Sequence, residues 1–260
     1  MNVRETATSV LRTAKDREIT FLAAGFAYYA FVSVIPLVLL ALVVGSIVGG
    51  EDLATRLVDA AGDALPAAGD ELLTEALTTE AGRAEATVVA LGVAAWGGLK
   101  VFRGLSKAFD MVYGTDQEDS ILEEIAQGLA VIAVIAAALA LMTVLGVVIG
   151  IFSGQIPFVG LLSWVVLIGG LFLVFVPLYY LLPPIDVTLG ETLPGAAFAA
   201  VGWALLQVGF QLYAANAAQF EAYGAIGAVL LFVTWLYFAG ILMLLGAVFN
   251  VVVSRPSLAA

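Results

Sequence analysis

Lys100, Arg103 and Lys107 fall at i, i+3 and i+7, which places three basic side chains on one face of a helix with Asp110 alongside. The residues that lead up to them, Ala86 to Leu99, are small or apolar and carry no charge. Arginine's planar fork grips a carboxylate or phosphate through two parallel hydrogen bonds, and a lysine one turn away adds a compact point charge. The pattern therefore suits an anionic substrate or a lipid headgroup. A second reading is that these side chains snorkel: if the apolar run ends near Leu105, Lys100 lies about 8 Å deep, within reach of the surface. Asp110 offers an internal ion-pair partner to Arg103 or Lys107, which would leave less charge for a ligand. Gln207 and Gln211, one turn apart, supply donors without adding charge, and Asn250 is a third amide; such groups either line a cavity or bridge helices. Lys100, Arg103, Gln207 and Gln211 form the expected substrate-binding set. Pro36 and Pro177 lie inside apolar runs and free the carbonyls of Val32 and Leu173, so each is a packing kink or a functional hinge. Ser33 is placed to re-satisfy the carbonyl that Pro36 frees.

Much chemistry is excluded by residue type. The 260 residues contain no His and no Cys, which removes the commonest general base, the thiol nucleophile and the usual transition-metal ligands. No P-loop, H-E-x-x-H or G-x-S-x-G motif occurs. No catalytic residue, metal site or cofactor is expected, and the chain reads as no enzyme. With 10 Lys+Arg against 21 Asp+Glu, a net charge of −11, it also lacks the basic footprint of a nucleic-acid binder. The acidic, Lys-poor composition points to a possible halophile, in which excess carboxylates keep proteins hydrated; a generically acidic protein is the plainer reading.

The elements that must hold these residues are written in the apolar pattern. Hydrophobic residues make up 62% of the chain, charged residues 12%, and the mean hydropathy is +1.08, far outside the range of soluble domains. Six apolar runs cover about 19–48, 86–109, 125–152, 158–182, 193–216 and 223–253. They are continuous, where barrel strands would alternate, and a bilayer admits only helices or closed barrels. The expected fold is all-α: a polytopic membrane bundle of six transmembrane helices in one domain. Arg4, Arg12, Lys15, Arg17, Lys100, Arg103, Lys107 and Arg255 fall on one side, and only Arg56 and Arg83 on the other. Eight against two places both termini in the cytoplasm. No cleavable signal peptide is expected, because the first 18 residues are polar and the run after them is too long for a signal core. Within 1–18, Val3, Ala7, Val10, Leu11 and Ala14 oppose Arg4, Arg12 and Lys15, the pattern of an interfacial helix on the cytoplasmic surface. Residues 49–85 are expected to form an acidic extracytoplasmic helical hairpin, turning at Pro66 to Gly69 and carrying nine acids from Glu51 to Glu85. Gly146, Gly150 and Gly154 make a small-residue stripe, as does Gly195 with Ala199, and both are expected at close helix contacts.

Several segments carry a family likeness. Ala27-Tyr28-Tyr29 followed by Ser33 and Pro36-Leu37 is one; Trp96 through Tyr113, with Leu105 and Ala108, is another. Pro194-Gly195-Ala196, Phe210 to Tyr213, Tyr223-Gly224-Ala225-Ile226-Gly227 and Leu245-Gly246-Ala247 follow in order. Taken as a set, they resemble the YihY/BrkB family of integral membrane proteins, formerly mislabelled ribonuclease BN. Members often carry Gly-Ala-Glu in the last span, where this chain has Gly246-Ala247-Val248, so a role for that Glu does not transfer. The resemblance implies a six-span protein of the inner or plasma membrane whose biochemical activity is unsettled, with transport a common suggestion.

The functional expectation is a transporter or lipid-handling protein for an anionic or amphipathic small molecule. The alternative is a non-transporting membrane scaffold or envelope-organising protein, since Asp186, Glu191 and Glu221 all sit at span ends and no carboxylate lies mid-membrane to couple protons. Expected partners are membrane lipids and a small-molecule substrate of unknown identity.

Overall fold

A computed structural model describes residues 2–33, 80–115, 121–151, 159–216 and 224–255. Pro36, most of the acidic hairpin and Gly154 lie outside these residues. Among the described residues every regular element is a helix: α1 Val3–Asp16, α2 Ile19–Ser33, α3 Glu80–Tyr113, α4 Ile121–Ile151, α5 Val159–Leu181, α6 Leu189–Asn216 and α7 Gly224–Ser254. Three stretches, Gly160–Leu181, Leu189–Tyr213 and Val229–Ser254, are each long and apolar enough to cross a membrane. Helix α3 already includes Glu80, ahead of the apolar run expected from 86. Its first turns carry Glu80, Arg83 and Glu85, so the helix extends past its apolar stretch.

The chain divides into two compact units, Met1–Ala27 with Phe102–Ala260, and Tyr28–Val101. In the larger unit α7 is the central element. Helices α6 and α1 both pack on it, α5 packs on α6, and α4 on α5. Ala239, Met243, Leu244, Ala247, Val248, Val251 and Val252 of α7 are buried. They meet an α6 face of small residues, Ala196, Ala199, Ala200 and Ala204, all buried. Short side chains let two backbones approach closely, the main source of helix association where lipid is as apolar as leucine. Gly240 lies against Ala23 and Phe26, which seats the start of α2 on α7. Helix α5 ends at Leu181 because Pro183 and Pro184 follow, and neither can continue the hydrogen-bond ladder.

Helix α1 shows the amphipathic pattern read from the sequence. Val10 is buried and Ala14 packs against the core, whereas Leu11 is exposed. Part of the apolar face is thus taken up by α7 rather than by a lipid surface.

In the smaller unit the Ser33 hydroxyl donates to the Gly97 carbonyl at 3.1 Å. That hydroxyl was expected to serve the carbonyl freed by Pro36 in its own helix. Instead it joins α2 to α3, because Gly97 has no side chain and leaves its carbonyl within reach.

Candidate functional site

At one end of the larger unit, α3 ends, α6 begins and α7 ends. Thr188-Leu189-Gly190-Glu191 opens α6 with one half of a capping box: the Glu191 carboxylate accepts from the Thr188 backbone N–H at 2.7 Å and from its hydroxyl at 3.1 Å. The same carboxylate accepts from Arg255 Nε at 3.1 Å and Nη2 at 3.3 Å. Arg255 Nη2 also donates to the Asp186 carbonyl at 2.6 Å. Arg255 therefore ties the C-terminal end of α7 to the N-terminal end of α6. Tyr113, the last residue of α3, feels the charges of both Arg255 and Glu191, and burial pushes its phenol up to about 12. The T-x-x-E spacing of the capping box was legible in the sequence; its capture of Arg255 was not.

One turn further along α6, Pro194 removes a donor and frees the Gly190 carbonyl. Asn250 of α7 inserts its amide just there. Its Oδ1 accepts from the Gly195 N–H at 2.6 Å, and its Nδ2 donates to the Thr192 carbonyl at 3.3 Å. Asn250 and Thr192 are both buried. A Cβ at Gly195 would overlap the Gly246 carbonyl oxygen, and one at Gly246 would overlap the Tyr179 hydroxyl. Tyr179, fully buried on α5, donates to the Met243 carbonyl at 2.7 Å. Three helices are locked together by groups that reach backbone rather than other side chains. The role of Asn250 is therefore the helix-bridging one of the two anticipated for amides.

From this end an aromatic chain runs through the unit. Tyr113 stacks on Phe109, Phe109 meets Tyr179, Tyr179 stacks on Phe175, and Phe175 meets Trp203 at ring separations of 5.5–6.5 Å. Trp203 meets Trp235 edge to face at 5.7 Å, and Trp235 reaches Phe210 and Phe232. The Trp235 indole N–H is buried and has no hydrogen-bond partner among the described residues.

The residues singled out from the sequence are placed as follows. Lys100 is exposed in the smaller unit, with its Nζ 3.9 Å from the centre of the Trp96 ring, a cation–π contact along one helix. Arg103 and Lys107 are exposed in the larger unit, and Asp110 is buried. Gln207 is half-buried and Gln211 exposed on α6. At 1.5 Å per residue, Gln207 stands about 24 Å along α6 from Glu191, and Arg103 about 15 Å along α3 from Tyr113. The two glutamines thus belong to the half of α6 remote from the charged end. Pro177 is half-buried within a continuous α5. Among the described residues, no three His, Cys, Asp or Glu side chains gather closely enough to hold a metal ion.

Membrane-length apolar helices bridged by buried amide and hydroxyl groups define an integral membrane protein of the all-helical class. The sequence profile of the family described as virulence factor BrkB matches residues 10–260, and the chain belongs to that family. It is 27% identical to the UPF0761 membrane protein PSHAa0171 of Pseudoalteromonas translucida over 253 residues, covering 94% of this chain and 84% of that protein. It is also 35% identical over 86 residues to the ribonuclease-like protein YfkH of Bacillus subtilis; that match takes in 33% of this chain and 31% of YfkH. No solved structure matches the chain.

Proposed function

We propose that this protein is a multi-pass membrane transporter or lipid-handling protein for an anionic or amphipathic small molecule, without enzymatic activity. In this reading six helices span a cell membrane with both termini cytoplasmic, α1 rests at the inner surface, and the acidic 49–85 hairpin lies outside. The eight-to-two distribution of Lys and Arg supports the orientation.

The observation that carries the proposal is the posture of Lys100. A lysine that snorkels toward the C-terminal end of α3 must turn back against the natural tilt of helical side chains toward the N-terminus. The Lys100 ammonium instead lies over Trp96, one turn toward the N-terminal end. There it remains exposed within a stretch of α3 otherwise free of charge from Ala86 to Leu99. A cation kept in that position is available to an anionic group. Arg103, exposed about one turn away in sequence, adds bidentate geometry, and Gln207 and Gln211 are the neutral donors assigned to the same role. Pro36 and Pro177 serve as hinges in this scheme.

The test uses purified full-length protein in nanodiscs, with phosphatidylglycerol as the anionic probe. Lys100→Gln and Arg103→Gln should each weaken binding by about 1–3 kcal/mol, the worth of a hydrogen bond to a charged group. Binding unchanged by both substitutions leaves the non-transporting scaffold as the better reading. Pro36→Ala, which restores a helix donor, should insert normally and alter any transport that wild type displays.

A further inference from the structure

A groove of about 520 Å³ lies where the elbow between α1 and α2 meets the middle of α7. Its floor is apolar, formed by Leu11, Phe21, Ile241 and Leu245, with Lys15 and Glu18 also lining it. Leu11 and Phe21 are 69% and 73% exposed, so the floor is open to whatever surrounds the protein.

The charges at this elbow are not equivalent. Arg12 pairs with Asp16 at 3.7 Å. The Arg17 guanidinium is packed against Gly114, at the carbonyl end of α3 where a cation is favoured. Lys15 and Glu18 are left over: both are exposed, and among the described residues neither side chain has a partner. Glu18 also has φ of +51°, a left-handed conformation that glycine or asparagine adopts at lower cost. A glutamate in that conformation is accounted for if its carboxylate is used.

From these features we infer that the elbow groove seats a phospholipid with a phosphoethanolamine headgroup: the phosphate beside Lys15, the ammonium beside Glu18, and an acyl chain along the apolar floor. The argument is charge complementarity. One free cation and one free carboxylate match a headgroup that carries one phosphate and one primary ammonium. A glycerol headgroup with its phosphate beside Lys15 brings only neutral hydroxyls to Glu18, so it forgoes the charge-assisted bond that an ammonium makes. A quaternary ammonium cannot donate the hydrogen bond that a carboxylate accepts. The inference uses neither Lys100 nor Arg103 and stands whether or not those residues bind anything.

The experiment places the full-length protein in phosphatidylcholine nanodiscs containing equal small amounts of phosphatidylethanolamine and phosphatidylglycerol with identical chains. Lipids retained on release are then counted by native mass spectrometry. Wild type should retain phosphatidylethanolamine over phosphatidylglycerol by about tenfold, the size of one charge-assisted hydrogen bond. Glu18→Gln should abolish that preference, and Lys15→Gln should lower retention of the ethanolamine lipid by a similar factor. Lys100→Gln should leave retention of the ethanolamine lipid unchanged and lower only that of phosphatidylglycerol, which separates this groove from the anion site proposed above. Both elbow side chains are exposed, so these variants should fold; an unchanged melting temperature verifies it. A wild type without headgroup preference, or a preference that survives either elbow substitution, overturns the assignment. So does retention governed by Lys15 alone, which would make the groove a general anion site.

Discussion

Replacing Asn250 with leucine tests whether one amide holds α6 and α7 together. Leucine keeps the same branched skeleton, but its methyl groups are bulkier than the amide and cannot approach the backbone as closely, which adds some overpacking. The main change is that the Gly195 N–H loses its acceptor at 2.6 Å and the Thr192 carbonyl loses its donor at 3.3 Å. Left bare in an apolar interior, each group costs about 1–3 kcal/mol. Interhelical hydrogen bonds in membranes average only about 0.6 kcal/mol because the freed groups find other partners. Here the first limit should be approached. Pro194 already interrupts the ladder of α6 on one side, and the Gly246 carbonyl blocks relaxation on the other. The expected destabilisation for Asn250→Leu is therefore about 2–4 kcal/mol, lying between these limits. Reversible unfolding in bicelles, followed by steric trapping, measures it directly. Asn250→Asp keeps the acceptor for Gly195 but sets a carboxylate against the Thr192 carbonyl, so it should be at least as harmful. A loss below about 0.5 kcal/mol for Asn250→Leu would falsify the clamp and show that α6 reforms its own ladder past Pro194.

Further outcomes follow from the same contacts. Gly195→Ala should destabilise by about 1–3 kcal/mol through overpacking, whereas Gly146→Ala and Gly150→Ala, with nothing within 4 Å, should be neutral or slightly stabilising in the same assay. Equal effects at all three positions would contradict the packing described. Arg255→Gln breaks a part-exposed ion pair to Glu191 and should cost about 0.5–1 kcal/mol at low ionic strength, shrinking as salt is added; a loss independent of salt points to the Asp186 carbonyl contact instead. Ser257→Cys, in a chain without native cysteine, should resist an impermeant thiol reagent applied to intact cells and react after permeabilisation. Labelling from outside reverses the proposed topology.

The helical class and the positions of the helices follow from the sequence. Helices α4 to α7 occur where the sequence carries its last four apolar runs, read as 125–152, 158–182, 193–216 and 223–253. Backbone groups in hydrocarbon must be satisfied within the segment, so a long apolar run has no other form to take. The helix from Val3 was legible for a different reason: its polar and apolar faces alternate with the helical period.

Which face of each membrane helix turns inward was decided only by tertiary structure. Helices α5, α6 and α7 are apolar nearly all round, so their sequences carry no periodic signal for rotation. Two glycine stripes that looked alike in sequence accordingly have different surroundings. Gly195 meets Gly246 and Asn250, while Gly146 and Gly150 face open space. Asn250 was recognisable as an intramembrane amide, but its partners, Gly195 and Thr192, lie 55 and 58 residues away and depend on the azimuth of α6 against α7. The pairing of Arg255 with Glu191, 64 residues apart, has the same origin. Local physics selects a helix wherever lipid must be crossed; the contacts between helices depend on how their faces are turned, and hydrophobicity that is uniform around a helix leaves that choice to packing.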